Sequence, residues 1–411
     1  MKCIYQWGVL GLLLAVSMAQ AKTINVPGDQ PTIQDAISVA TTGDIVNVAP
    51  GTYPENLNFL GKAITVVSES GPNVTIIDGQ KIGPVVTFSS GEGLSSVLKG
   101  FTLQNGVSTS SSADDGGGVY INGASPVIVK NVIQNNTACD GGAGIAVHFG
   151  SPHIQGNTIM NNSQAGCSGG IGGGGISVSG ASSAQILNNA IKQNSWGTSG
   201  GGISLFAAGT PLVQTNRIES NSAGQQGGGM WVVNASGELL IENVIDDNTA
   251  LQGAGVYLSA GNSGQLMINN TVANNHGSVE GSALYFTGSA PTVQIMNNIF
   301  QGDTGSNALF CESTLGSPPK LAANDAFSPS GTGMGGDCAG EAKKLKNISA
   351  SPRFIRVGNY KLNAGSPAID AGLNQAPHLP SADFAGNPRI RDGNGDGKKI
   401  VDMGAYEFQI N

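Results

Sequence analysis

The chain has 411 residues, of which only 11% are charged, and a formal net charge of −8. That balance excludes a basic nucleic-acid-binding surface and sets up a field that repels polyanions. The 63 glycines follow no three-residue period, so a collagen-like rod is excluded as well.

Residues 1–21 read as a secretory leader: Lys2 supplies the positive start, Val9 to Val16 the apolar run, and Ala19, Gln20 and Ala21 the small-residue cleavage site. The run is too short to cross a bilayer and no other segment qualifies, so the mature chain is expected to be secreted or at the cell surface, without a membrane span. A single helical pattern follows at residues 33–40, with Thr32 as N-cap and Gly43 beyond its end. It is placed to close the N-terminal end of the first expected strand, residues 44–48.

From there one unit recurs: a glycine-led apolar strand, about a dozen residues, then Asn-x-apolar-x-x-Asn. The opening asparagines are Asn131, Asn157, Asn189, Asn216, Asn243, Asn270 and Asn298, spaced by 26, 32, 27, 27, 27 and 28 residues. A fixed period of this size marks a solenoid. Apolar residues alternate with polar ones, the pattern of strands with one buried face, and no i, i+3, i+4 stripe appears. Three short strands per coil fit the period, with neighbouring coils ~4.8 Å apart. Asparagine tolerates the left-handed backbone of a tight bend, and its amide both donates and accepts, so stacked amides are expected to bond along the axis.

Cys139 and Cys167 are 28 residues apart, and Cys311 and Cys338 are 27 apart. One-coil neighbours fall within the ~4.4–6.8 Å Cα window of a disulfide, so Cys139–Cys167 and Cys311–Cys338 are the expected pairs, in an oxidising compartment. The repeat fades after Phe310. A Pro/Gly/Ser-rich stretch runs over residues 317–340, and a different composition continues to the end.

Three runs, TINVPGDQPTIQDAI at 23–37, GDIVNVAPGTY at 43–53 and GFTLQNG at 100–106, resemble the secreted right-handed parallel β-helix proteins of the pectin-lyase-like superfamily. The tail, with YKL at 360–362, SPAIDAG at 366–372, DFAGNPR at 383–389 and DMGAYE at 402–407, is similar to the C-terminal choice-of-anchor Q type module. The implied fold is an all-β, single-stranded right-handed parallel β-helix of about ten coils over residues 22–340. An N-terminal capping helix precedes it and a small β module covers residues 341–411. The superfamily includes lyases, hydrolases and esterases of pectin. The strand signatures of its methylesterases and polygalacturonases are missing here. Residues 100–310 hold three basic residues (Lys130, Lys192, Arg217) against ten acids, net −7, which disfavours an acidic substrate unless bound calcium inverts the charge.

Stacking the repeat yields two candidate rows. Lys192, Glu219 and Asp246 occupy the same outward position, with Asp247 beside them. Carboxylates one coil apart approach the roughly 5–5.5 Å of a retaining glycosidase pair and also suit calcium, while a solvated row with Lys192 offsetting Glu219 is the third reading. On the glycine-led face, Trp231, Tyr257 and Tyr285 align, with Phe310 as an extension. That row reads as a flat stripe for sugar rings, a surface covered by the C-terminal module, or cross-strand packing alone. Asp392, Asn394 and Asp396 match the first half of an EF-hand loop. Met403 stands where its bidentate glutamate belongs, so a calcium site would have to use Asp402. The expected role is non-catalytic carbohydrate recognition, with neutral extracellular polysaccharide as partner, or a surface-structural one. The alternative is a polysaccharide lyase or glycoside hydrolase centred on Glu219, Asp246 and Asp247.

Overall fold

The structure is a computed structural model that describes residues 20–109, 116–167, 170, 172–259, 264–288, 292–312 and 318–410. The leader lies almost wholly outside the described residues. The chain winds into a right-handed parallel β-helix of about ten coils. Each central coil contributes four strands, not three, and they stack into parallel sheets of 12, 7, 11 and 11 strands. One coil shows the plan: Met230–Val233 in the glycine-led sheet, Leu239–Ile241 in a side sheet, Val244–Asp246 in the asparagine-led sheet, and Thr249–Ala250 in a short sheet. The fourth strand exists because the second asparagine of the motif turns the chain again. Ile218, Ile245 and their equivalents point inward and are fully buried.

Both asparagines of the motif turn inward and form ladders. In the first ladder, Asn131, Asn157, Asn189, Asn216, Asn243, Asn270, Asn298, Asn324 and Asn347 are linked rung to rung, each backbone N–H donating to the next Oδ1. Each side-chain amide donates to that same oxygen and to a carbonyl of the preceding coil, as Asn216 does to Ile186 and Asn243. A second ladder runs through Asn136, Asn162, Asn194, Asn221, Asn248 and Asn275. The first ladder extends two rungs beyond the repeat visible in the sequence. Asn347 and the Asp325–Ile348 bridge place the coil stack past the boundary expected at residue 340.

The glycine that opens each strand is required by close approach. A Cβ on Gly202 would stand 2.5 Å from the Gly229 carbonyl oxygen and 3.0 Å from both Asn221 Nδ2 and Ile218 Cγ2. Gly202→Ala therefore separates two coils or tilts the asparagine. We expect a loss of about 1–3 kcal/mol, read as a lower denaturant midpoint.

At the N-terminus, helix Ile33–Val39 buries Ile33, Ala36 and Ile37, and Thr32 accepts from Asp35 N at 3.0 Å. Glu55 accepts from the amides of Ile33 and Gln34, and Lys62 Nζ donates to the carbonyls of Ile37, Ser38 and Ala40. Both helix ends are thereby satisfied. An additional strand, Thr23–Val26, precedes the helix and pairs in parallel with Ile45–Val48. Both expected disulfides are present, with Cα separations of 5.5 Å for Cys139–Cys167 and 5.4 Å for Cys311–Cys338. The tail forms two small antiparallel pairs, Phe354–Arg356 with Asn359–Leu362 and Ile390–Arg391 with Ile400–Val401.

Candidate functional site

The tail lies along the flank of the coil stack, across the asparagine-led and side sheets. Tyr360 and Ala405 bury Val244 and Ala273; Leu362, Ala368 and Met403 bury Ile299; Leu373 and Ala376 pack on Ile241, Ile268 and Met296. Asn269 Nδ2 donates to the carbonyls of Asp402 and Gly404, and Asn297 Nδ2 to that of Leu373. The tail therefore covers the Asp246 end of the expected acid row, while the aromatic row lies on a different sheet.

Lys192, Glu219 and Asp246 are in register as expected. Arg217, two residues before Glu219, reorganises them: its Nε pairs with Glu219 and its Nη2 reaches Asp246 Oδ2 at 3.0 Å. Tyr360 OH donates to the same Asp246 oxygen at 3.2 Å and roofs it, leaving the residue 4% exposed. Burial pushes the Asp246 carboxyl up to about 6, opposed by Arg217 and reinforced by the charge of Glu219. Asp247 turns away at a left-handed bend, accepting from Ser220 Oγ at 2.7 Å and facing His276 Nε2 at 3.3 Å. The three acids thus do not share one open site. Asp246 is a clamp between coil and tail, Glu219 is tied to Arg217, and Asp247 belongs to a surface row.

The tail motifs meet the coils at a buried ion cluster. Arg389, 1% exposed, donates from Nη2 to Glu242 Oε1 at 2.8 Å and from Nη1 to Glu407 Oε1 at 2.9 Å. Asp402 lies against Glu407, whose carboxylate accepts its backbone N–H. One guanidinium cannot offset three buried carboxylates, so burial raises Glu242 to about 7, Asp402 to about 6 and Glu407, further raised by Asp402, to about 8. Groups raised on folding bind more protons in the native state, so their stabilisation is full below the unfolded carboxylate range and is lost as pH rises through the raised values. Stability should fall as pH climbs from about 4 to about 8, read as a decreasing thermal midpoint across a buffer series.

At the tail's upstream margin the bends of the coils remain uncovered. Asn188, Gln214, Thr215 and Glu242 face residues 380–386 across a groove of ≈ 500 Å³. It adjoins a hollow of ≈ 270 Å³ bounded by Asn188, Ala190, Thr215, Arg217 and Phe384. Phe384 stands in both, its ring set edge-on to Tyr406 at 5.3 Å. Carboxamides, the Thr215 hydroxyl (which donates to Glu242), the largely buried carboxylates of Glu242 and Asp383 and half-buried Phe384 line this groove, while Arg217 is already engaged by its acids. The sequence reading missed it because its walls come from segments some 170 residues apart.

Trp231, Tyr257, Tyr285 and Phe310 do align on the glycine-led sheet. Their rings, however, stack on one another: Tyr257 on Tyr285 with centroids 5.5 Å apart and planes at 6°, Tyr285 on Phe310 at 5.4 Å, and Trp231 on Phe206 at 5.8 Å. Each of these rings thus turns at least one face to a neighbouring ring, the arrangement of cross-coil packing. Trp231 Nε1 donates to Gln226, which itself donates to Gln252 one coil on.

The expected calcium set is not assembled. Asp392 accepts from Gly395 N and Gly397 N, Asn394 from Asp396 N, and Asp396 from Lys398 N, so the loop satisfies itself. Asp402 is buried in the ion cluster, with its oxygens on the amides of Asp370 and Phe408. Among the described residues no three His, Cys, Asp or Glu side chains are placed to hold a metal.

Residues 168–304 match a family described as "Right handed beta helix region", and residues 56–212 one described as "Protein of unknown function (DUF1565)". No curated protein matches the chain in sequence. The "Crystal structure of pectate lyase Pel9A" is similar with a TM-score of 0.50 at 13% identity, over 96% of this chain and 98% of that one. A mannuronic acid specific polysaccharide family 6 lyase from human gut microbiota gives 0.38 at 13% identity, over 78% and 84%. The mannuronan C-5 epimerase AlgE6 A-module of Azotobacter vinelandii gives 0.26 at 17%, over 78% and 93%. The fold is therefore that of a right-handed parallel β-helix, similar to that pectate lyase structure.

Proposed function

We propose that this is a secreted, non-catalytic polysaccharide-binding protein that holds a neutral glycan chain in the groove beside Phe384. The carrying observation is the groove itself: carboxamides of Asn188 and Gln214, the Thr215 hydroxyl and the Phe384 ring line it, beside the largely buried carboxylates of Glu242 and Asp383. That is the polar-and-planar mixture on which sugar hydroxyls and ring faces bind. The acid with the most catalytic setting, Asp246, is held under Tyr360 beyond reach of a substrate. Two disulfides accord with export, and no helix among the described residues is long and apolar enough to cross a membrane. A glycan array probed with the mature chain should report a neutral polysaccharide, and Phe384→Ala should weaken that binding roughly ten-fold or more. Unchanged binding in that variant, or in Trp231→Ala alone a complete loss, would refute the groove.

A further inference from the structure

The chain is acidic, yet its positive charge is concentrated in one stretch. Residues 341–361 hold six basic side chains (Lys343, Lys344, Lys346, Arg353, Arg356, Lys361) and one acid, Glu341, a local net of +5 in a chain of net −8. All six are exposed, and Glu341 is already paired with Lys344. The same stretch exposes three large aliphatic side chains: Leu345 at 57%, Ile355 at 48% and Val357 at 69%. Exposed aliphatics are ordinary when scattered; their coincidence with the most cationic stretch of the sequence is not.

The hairpin Phe354–Arg356/Asn359–Leu362 sorts these residues by face. Phe354, Tyr360 and Leu362 pack inward against the coils, while Ile355 and Lys361 face outward and Val357 stands at the turn. Beside the turn lies a cleft of ≈ 250 Å³ with mixed polar and apolar walls, where Arg353, Arg356 and Val357 meet Asn274, Gln301 and Phe354. One Arg353 nitrogen is used on the Gly365 carbonyl at 3.1 Å, which steadies its guanidinium at the rim.

We infer that this hairpin docks on an anionic lipid surface, with Ile355 and Val357 entering the acyl boundary and Arg353 and Arg356 meeting headgroup phosphates in the cleft. The cations alone would suit any polyanion. Two aliphatic side chains at a turn favour lipid over an acidic polysaccharide, whose sugars are bound by hydroxyl and aromatic groups.

The test is co-sedimentation of the full mature chain with vesicles of phosphatidylcholine alone or mixed with phosphatidylglycerol. Binding is expected only to the anionic vesicles. Arg353→Ala/Arg356→Ala and Ile355→Ser/Val357→Ser should each reduce it roughly ten-fold. These side chains are exposed and only the Arg353–Gly365 hydrogen bond is lost, so both variants should keep an unfolding midpoint close to the parent's. No binding to anionic vesicles, or equal binding to neutral ones, would overturn the inference. So would anionic binding that Ile355→Ser/Val357→Ser leaves intact, which would assign the cations to a soluble acidic polymer.

Discussion

Arg389→Ala should lower the unfolding free energy by about 3–5 kcal/mol near pH 8, among the largest effects of any tail substitution. The side chain is 1% exposed and bonded to Glu242, Glu407 and the Ala405 carbonyl. Its loss strands two carboxylates in a buried seam. Near pH 5 the penalty should shrink, because Glu242 and Glu407, raised by burial to about 7 and about 8, then carry protons and need no counter-charge. Chemical denaturation at both pH values, with limited proteolysis of the tail, reads the effect. A penalty independent of pH would mean that those carboxylates are not left unpaired.

Asn243→Ala should cost a similar amount, about 3–5 kcal/mol, by a different route. Asn243 Oδ1 accepts both Asn216 N at 3.0 Å and Asn216 Nδ2 at 3.1 Å, and its own amide donates to the Val213 carbonyl at 2.8 Å. Alanine removes the acceptor of both Asn216 N and Asn216 Nδ2 and the donor to both the Val213 carbonyl and Asn270 Oδ1, at a fully buried corner. Asn243→Asp keeps the acceptor half but sets a carboxylate oxygen against Val213 O and Asn270 Oδ1, so it should be destabilising and more so at high pH. Hydrogen exchange should show lost protection centred on Asn216 and spreading one coil each way. Protection unchanged at Asn216 would remove the ladder from the stability of the stack.

The coil register was legible because a solenoid translates sequence period directly into contact. Positions about 27 apart became neighbours, and the disulfides and both rows of side chains fell where that rule put them. The fourth strand was not legible, since two-residue pieces such as Ser222–Ala223 carry no pattern of their own. What the rows do depended on features that a period cannot encode. Ring orientation is set by packing between coils, so aligned Tyr257 and Tyr285 could not be distinguished in sequence from an open platform.

The docking of the tail had a signal that strand alternation alone passes over. Upstream coils place Gln185, Lys192, Gln214 and Glu219 at outward positions, whereas later ones place Ile241, Val244, Leu266, Ile268 and Ile299 there. Loss of alternation, as in the fully buried Leu266–Ile268, marks a sheet covered on both faces. The tail motifs pointed to a family resemblance, but the roles of Arg389, Asp402 and Glu407 appear only when they meet Glu242 from the opposite element.

The most direct measurement is to incubate the mature chain with the glycan it retains from a polysaccharide panel, then score bound complex and released products together. The proposed reading requires a stable complex, no new reducing ends or unsaturated products, and loss of the complex in Phe384→Ala. Product that accumulates with the parent chain and vanishes in Glu219→Gln or Asp246→Asn would contradict it, and would make the residues beneath Tyr360 an active site.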